Sequence, residues 1–145
     1  MNATQQKPTL VFEMLDRAMR EPNYQSRKIK LAQFRCFELN SILQINYRPD
    51  AKLELPAGIP KFHRDNGDPD MSMSRTRNII PELLELDVRN KKITPSEKNQ
   101  RFIGILESLN EREAEVLILA KDRKLQEKWP ALNLSMVREA IPGIV

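Results

Sequence analysis

The chain is short of the residues that most often carry chemistry. Its 145 residues include one cysteine, Cys36, one histidine, His63, one tryptophan and four glycines. A lone cysteine makes no internal disulfide, and a lone histidine leaves almost nothing for a metal cage or a histidine-based catalytic system. The glycines, at 58, 67, 104 and 143, are too scattered for a loop that cradles phosphate, which needs several close together. Long apolar runs are missing too. Ile79-Ile80 and the stretch from Val116 to Ala120 fall far short of the roughly 18 to 20 residues a spanning helix needs. The opening MNATQQKPTLVFEMLD lacks a basic start, an apolar stretch and a cleavage site, so it does not read as a secretory signal.

What is present describes a folded domain. A 40% apolar and 30% charged composition, with a mean hydropathy of −0.55, lies away from disordered chains. A chain of this length buries about 70% of its unfolded surface, enough for one continuous core. The formal charge of +4 is unevenly placed. Residues 1–48 hold eight Lys/Arg against four acids, which is the whole excess; residues 49–78 and 79–145 are each balanced. Interleaved signs in the last segment are those of solvated helix faces. A pI near 9.3 permits an anionic partner, but the charge is weaker than a dedicated DNA binder carries.

Periodicity divides the chain into basic N-terminal helices (1–48), a Pro/Gly connector (49–70) and C-terminal helices (71–145). Thr9 is positioned to cap a helix with Leu10, Met14, Leu15 and Ala18 on one face, ending near Arg20 before Pro22-Asn23. Ser26 then caps a helix in which Ile29, Ala32, Cys36, Leu39 and Leu43 form an apolar stripe, with Asn40-Ser41 a candidate interruption. Four prolines and two glycines between 49 and 70 disfavour helix there. Leu53, Leu55, Ile59 and Phe62 predict a connector laid across the helices, with a more mobile DNGDPD tail. Ser72 or Ser74 opens the next helix, which Pro81 kinks or restarts. Thr94-Pro95-Ser96-Glu97 is a capping box, with Phe102, Ile105, Leu106 and Leu109 behind it. Asn110 caps a closely joined helix carrying Ala114, Leu117, Ile118, Lys121 and Leu125 on one face. After a Trp129-Pro130 turn, Asn133 or Ser135 starts a short helix stopped by Pro142-Gly143.

Each constellation that suggests chemistry has a simpler account. Cys36 sits on the apolar stripe and reads as a small buried side chain. His63, Asp65, Asn66, Asp68 and Asp70 evoke a calcium loop, but the glycine falls at its third position and Thr76 stands where the closing Glu belongs, so a self-bonded polar turn is expected. Glu111 and Glu113 lie in a first helical turn, where the helix dipole favours acids. The paired helices 94–109 and 111–125 resemble a helix-turn-helix, yet the second begins Glu-Arg-Glu-Ala-Glu, which phosphate repels. The better candidate contact with an anionic partner is Arg27, Lys28, Lys30 and Arg35, beside Tyr24 and Phe34. No catalytic residue, metal or cofactor is expected.

The order of these features also resembles a known family. LNSILQINYRPDAKLELPAGIPKF, then FIGILESLNEREAEVLILAKDRKL and the ending VREAIPGIV, are similar to a family of small helical proteins of T4-like contractile-tailed bacteriophages of the marine and cyanobacterial type. The resemblance covers residues 27–62 and 101–145. It rests on the phrase from Leu43 to Pro49, the Leu55-Pro56-Ala57-Gly58 turn, Glu107-Ser-Leu, Glu113-Ala-Glu, the run Lys121 to Leu125, and Val137 to Pro142. The middle segment MSMSRTRNIIPELLELDVRN departs, where the family pattern has a more aromatic helix. The resemblance brings no catalytic residues and no established activity, but implies a phage origin.

The expectation is an all-α single domain of five or six helices with an ordered proline-rich connector. Its function is expected to be that of a non-enzymatic phage accessory protein, acting in the host cytoplasm by binding a host or phage macromolecule. The alternative is a minor virion component of neck, tail or capsid. A protein is the expected partner, nucleic acid a weak one, and membrane none.

Overall fold

The computed structural model describes residues 8–67, 72 and 74–145. Among these the fold is all-α, with eight helices: α1 (Val11–Met19), α2 (Tyr24–Gln33), α3 (Phe37–Tyr47), α4 (Thr76–Leu84), α5 (Pro95–Ser108), α6 (Glu111–Lys121), α7 (Leu125–Lys128) and α8 (Leu134–Ala140). The count exceeds five or six for two reasons. The long second helix expected from the sequence is two helices, and a four-residue α7 stands apart from α6.

The break between α2 and α3 follows from what each helix packs on. α2 lies against α1 and α8, whereas α3 lies against α6 and α4, and one straight helix cannot serve both directions. The chain therefore leaves the helix at Phe34 to Cys36, with Cys36 in an extended conformation as the N-cap of α3. Arg35 closes the end of α2 by donating from Nη1 to the Ala32 carbonyl at 2.7 Å. Asn40-Ser41 stays helical. The expected stripe is cut accordingly: Leu31, Leu39, Ile42 and Leu43 are buried, but Ile29 is 56% exposed and Cys36 is half-buried.

α6 is the hub, packed against α1, α3, α5 and α7. Its one-sided pattern understates its burial, since Glu113, Ala114, Val116, Leu117, Ile118, Ala120 and Lys121 are all buried. A helix surrounded by others buries most of its circumference. Three charged side chains in this interior hold distant segments together. Glu113 Oε1 and Oε2 accept from the backbone N–H of Val11 (3.1 Å) and Phe12 (2.7 Å), and Thr76 Oγ1 donates to Oε1 at 2.6 Å. The cap of α1 therefore comes from α6 and not from Thr9, while the N-cap position is Leu10 with no side-chain bond. Lys98, fully buried, donates to Glu54 Oε1 (2.6 Å) and to the carbonyls of Asp87 (2.9 Å) and Asn90 (2.7 Å). Lys121 donates to the carbonyls of Pro56 (2.9 Å) and Gly58 (2.8 Å) and to its neighbour Asp122 Oδ1 (2.9 Å).

The connector is ordered and laid on the helices through these lysines. Glu54 N–H donates to the Leu86 carbonyl (2.8 Å) and Val88 N–H to the Lys52 carbonyl (3.0 Å), a short antiparallel contact. Leu53 is buried, and Leu55 and Phe62 pack partly on the core. Ile59 does not, being 70% exposed. The preceding turn is held from outside by Lys121 and Asp122 and turns Ile59 away, with Gly58 at φ +90°, a conformation only glycine adopts without strain. The DNGDPD tail is anchored at its start, where Glu111 N–H donates to the Asp65 carbonyl (2.7 Å) and Asn110 Nδ2 to the Gly67 carbonyl (2.9 Å). Its remaining residues, 68–70, lie outside the described residues.

Helix starts show which local signals hold. Asn110 and Asn133 accept from the backbone N–H of Arg112 and Met136, as their positions predict. The second helix starts earlier than Ser26. Asn23 is its N-cap and Ser26 the third helical residue, the two joined in a reciprocal capping box. Neither Ser72 nor Ser74 caps α4; the N-cap position is Arg75, and Pro81 sits inside the helix. At α5, Thr94 Oγ1 accepts from the Glu97 N–H at 3.1 Å, but Glu97 does not reach back, since its carboxylate pairs with Arg101 Nη2 at 2.6 Å. Half a box remains. Thr94→Ala should lower stability by about 0.5–2 kcal/mol, read as a lower thermal midpoint; an unchanged midpoint would show that Thr94 does not hold this helix start.

Candidate partner-binding surface

α2 contains no acidic residue, and none occurs from Pro22 to Phe37. Within that stretch lie all four predicted contact residues, Arg27, Lys28, Lys30 and Arg35. The helix buries only Leu31 within its own span, with Phe34 buried at its C-cap. At about 100° per residue, Arg27 falls on the Leu31 side and Ile29 on the opposite side. Gln25, Ile29 and Gln33 then form an outer ridge, with Lys28 along one flank and Lys30 along the other.

The structure separates the four basic residues by what they meet. Lys28 turns toward α8, where Nζ pairs with Glu139 Oε1 at 3.2 Å and lies 5.8 Å from the Tyr24 ring centre. Burial, and then the Glu139 carboxylate, push the Tyr24 hydroxyl above its ordinary value. Lys30 Nζ lies over the Phe34 ring, 5.8 Å from its centre, a cation–π approach. Arg35 is exposed and spends one N–H on the Ala32 carbonyl. Arg27 is half-buried, and its Nε is buried with no hydrogen-bond partner. Three of the four charges, at Arg27, Lys30 and Arg35, are thus not neutralised by an acid pair, and Lys28 is diverted.

Sequence reasoning missed two members of this surface. Ile29, placed by periodicity on an apolar stripe, is 56% exposed, and Phe37, at the start of α3, is 52% exposed. Only the break at residues 34–36 turns them outward. Tyr24 and Phe34 serve as props for lysines and core, not as open stacking platforms.

The other candidates resolve into structure. Asp65 accepts from the Gly67 N–H (3.1 Å) and from Ser72 Oγ (2.8 Å), the self-bonded turn expected, and these bonds, Ser72 first, hold its carboxyl below the usual range. Asp68 and Asp70 lie outside the described residues; among those described, no three His, Cys, Asp or Glu side chains come together as a metal group. Glu111 is half-buried, Glu115 pairs with Lys128 at 3.1 Å, and Glu113 is the cap described above. No described helix is long and apolar enough to cross a membrane.

Compared with models of protein families, with curated proteins and with solved structures, the chain matches none. The sequence phrases from Leu43 to Pro49, Leu55 to Gly58 and Lys121 to Leu125 meet in space. Arg123 Nη2 donates to the Arg48 carbonyl at 2.6 Å, Leu125 N–H to Asn46 Oδ1 at 3.2 Å, and Lys121 with Asp122 grips the Pro56 to Gly58 turn. They form a clasp between the end of α3, the connector and the end of α6. Their roles are structural, and the candidate contact surface lies apart from them on α2.

Proposed function

We propose that this protein is a non-enzymatic bacteriophage accessory protein that binds an acidic protein surface in the infected cell through the outer face of α2 and the start of α3. One observation carries the reading: an acid-free segment presents exposed Ile29 and Phe37 beside Lys30 and Arg35, with the half-buried Arg27 on its inner side. Exposed apolar side chains framed by cations suit an acidic protein patch, because apolar contact adds affinity while charge sets approach and register. Phosphate binding needs no isoleucine or phenylalanine. The phage setting rests on the resemblance of the clasp phrases, and the virion location is the competing one.

Three measurements test this. Counterion release sets a log–log salt slope of about −0.9 per duplex phosphate neutralised, so the two outward cations, Lys30 and Arg35, allow a slope of only roughly −2. Labelled duplex and single strands should therefore bind weakly and let go at physiological salt, beside a variant with Arg27, Lys28, Lys30 and Arg35 changed to Gln. Tight binding that survives physiological salt and vanishes in that variant would make nucleic acid the partner. An acidic protein partner taken from infected cells should be lost with Ile29→Ser and Phe37→Ser as well as with the four-Gln variant. Stoichiometric presence in purified virions would sink the intracellular reading in favour of a particle component.

A further inference from the structure

A second site lies away from α2, in a cavity of about 560 Å³ between the start of α1, the start of α3 and the first turn of α4. Its apolar wall is Pro8, Met14 and the half-buried Cys36, whose Sγ lies 3.8 Å from the Met14 Sδ. Glu38, in the first turn of α3, lines the same cavity and is only 8% exposed. No hydrogen bond or ion pair reaches its carboxylate from any described residue, in contrast to Glu113, whose oxygens accept three bonds. Its oxygens are not among the buried polar atoms without a partner, so they open to the cavity and its solvent, where a cation can reach them. On the α4 side, Arg77 and Asn78 are exposed and line the same cavity. Arg75, also a lining residue, is engaged with Thr9 Oγ1 at 3.1 Å.

The geometry points to a binding site for a small zwitterion of the amino-acid type. Its ammonium would pair with Glu38, its carboxylate with Arg77 and Asn78, and its apolar side chain would lie on Met14 and Cys36. An acid and a base on different helices around an apolar wall recognise that combination better than a plain cation or a plain anion. Arg77 would repel the first and Glu38 the second. The volume also suits the class, since it holds an amino acid with room for water but no nucleotide-binding loop or metal group lines it.

The test is titration of the full chain with L-methionine and L-leucine, n-butylamine (cation alone) and butyrate (anion alone), followed by NMR shifts of the Met14 methyl and by calorimetry. A saturable shift with the amino acids, at least tenfold weaker with both single-charge probes, is expected. Glu38→Gln, which keeps shape and removes the charge, should weaken amino-acid binding at least tenfold. Arg77→Gln, at an exposed position where folding is not at stake, should weaken it similarly while leaving butylamine binding unchanged or stronger. Absence of any saturable shift, butylamine or butyrate binding as tightly as methionine, or methionine binding unaltered by Arg77→Gln would each overturn the site.

Discussion

Changing Lys98 to methionine should cost about 3–5 kcal/mol of folding stability, the range for breaking a buried charged network by removing one partner. That is a large share of the roughly 5–15 kcal/mol that holds a domain together. The lysine is fully buried, and its ammonium donates to Glu54 and to the carbonyls of Asp87 and Asn90. Methionine fills the stem's volume but leaves both carbonyls unpaired behind α5. It also frees the connector, which meets the rest of the chain here through Glu54. Glu54→Gln should cost far less, because that side chain is 30% exposed and water takes the place of the lost partner. Equilibrium urea unfolding of both variants measures the difference; equal losses would show that the ion pair, and not the buried carbonyls, is what Lys98 serves.

Glu113→Gln should destabilise by roughly 3 kcal/mol, since each buried hydrogen-bonding group left unmatched costs about 1–3 kcal/mol. The carboxylate accepts from two first-turn amides of α1 and from the Thr76 hydroxyl. A glutamine amide turned toward those donors offers an N–H₂ where an acceptor is needed. The pH dependence has a definite sign. Burial pushes the Glu113 carboxyl above its ordinary 4.5, against the opposing pull of the Thr76, Phe12 and Val11 bonds. Folded protein then holds this proton more tightly than unfolded protein does. The stability gap between wild type and Glu113→Gln is therefore largest below the unfolded value and narrows as pH rises through the folded one. A gap that instead widens with pH would mean that hydrogen bonding outweighs burial at this site.

The two residues with the largest expected effects left different traces in the sequence. Lys98 stands four before Phe102 and seven before Ile105, on the apolar stripe of α5, and Lys121 stands on the stripe of α6 with Leu117 and Ile118. A lysine at a stripe position is the legible signal of a buried ammonium. Its acceptors are not legible, because the carbonyls of Asp87, Asn90, Pro56 and Gly58 belong to loops whose path local pattern does not specify. Glu113 carried a misleading trace. Three residues after Asn110, it reads as the closing acid of a local capping box, yet it caps a helix 101–102 residues away in sequence.

Sequence alone determined the all-α class, the order of the C-terminal helices, the caps at Thr94, Asn110 and Asn133, the ordered proline-rich connector and the acid-free basic segment. These depend on interactions within about four residues or on composition, and both can be read along the chain. Tertiary structure decided where the second helix breaks, that Ile29, Phe37 and Ile59 face outward, that Lys28 is spent on Glu139, and that Glu38 faces a cavity without a partner. Periodicity reports which residues share a side of one helix. Which side is covered depends on the neighbours that long-range packing supplies, and here α1 and α8 claim one side of α2 while α4 and α6 claim α3.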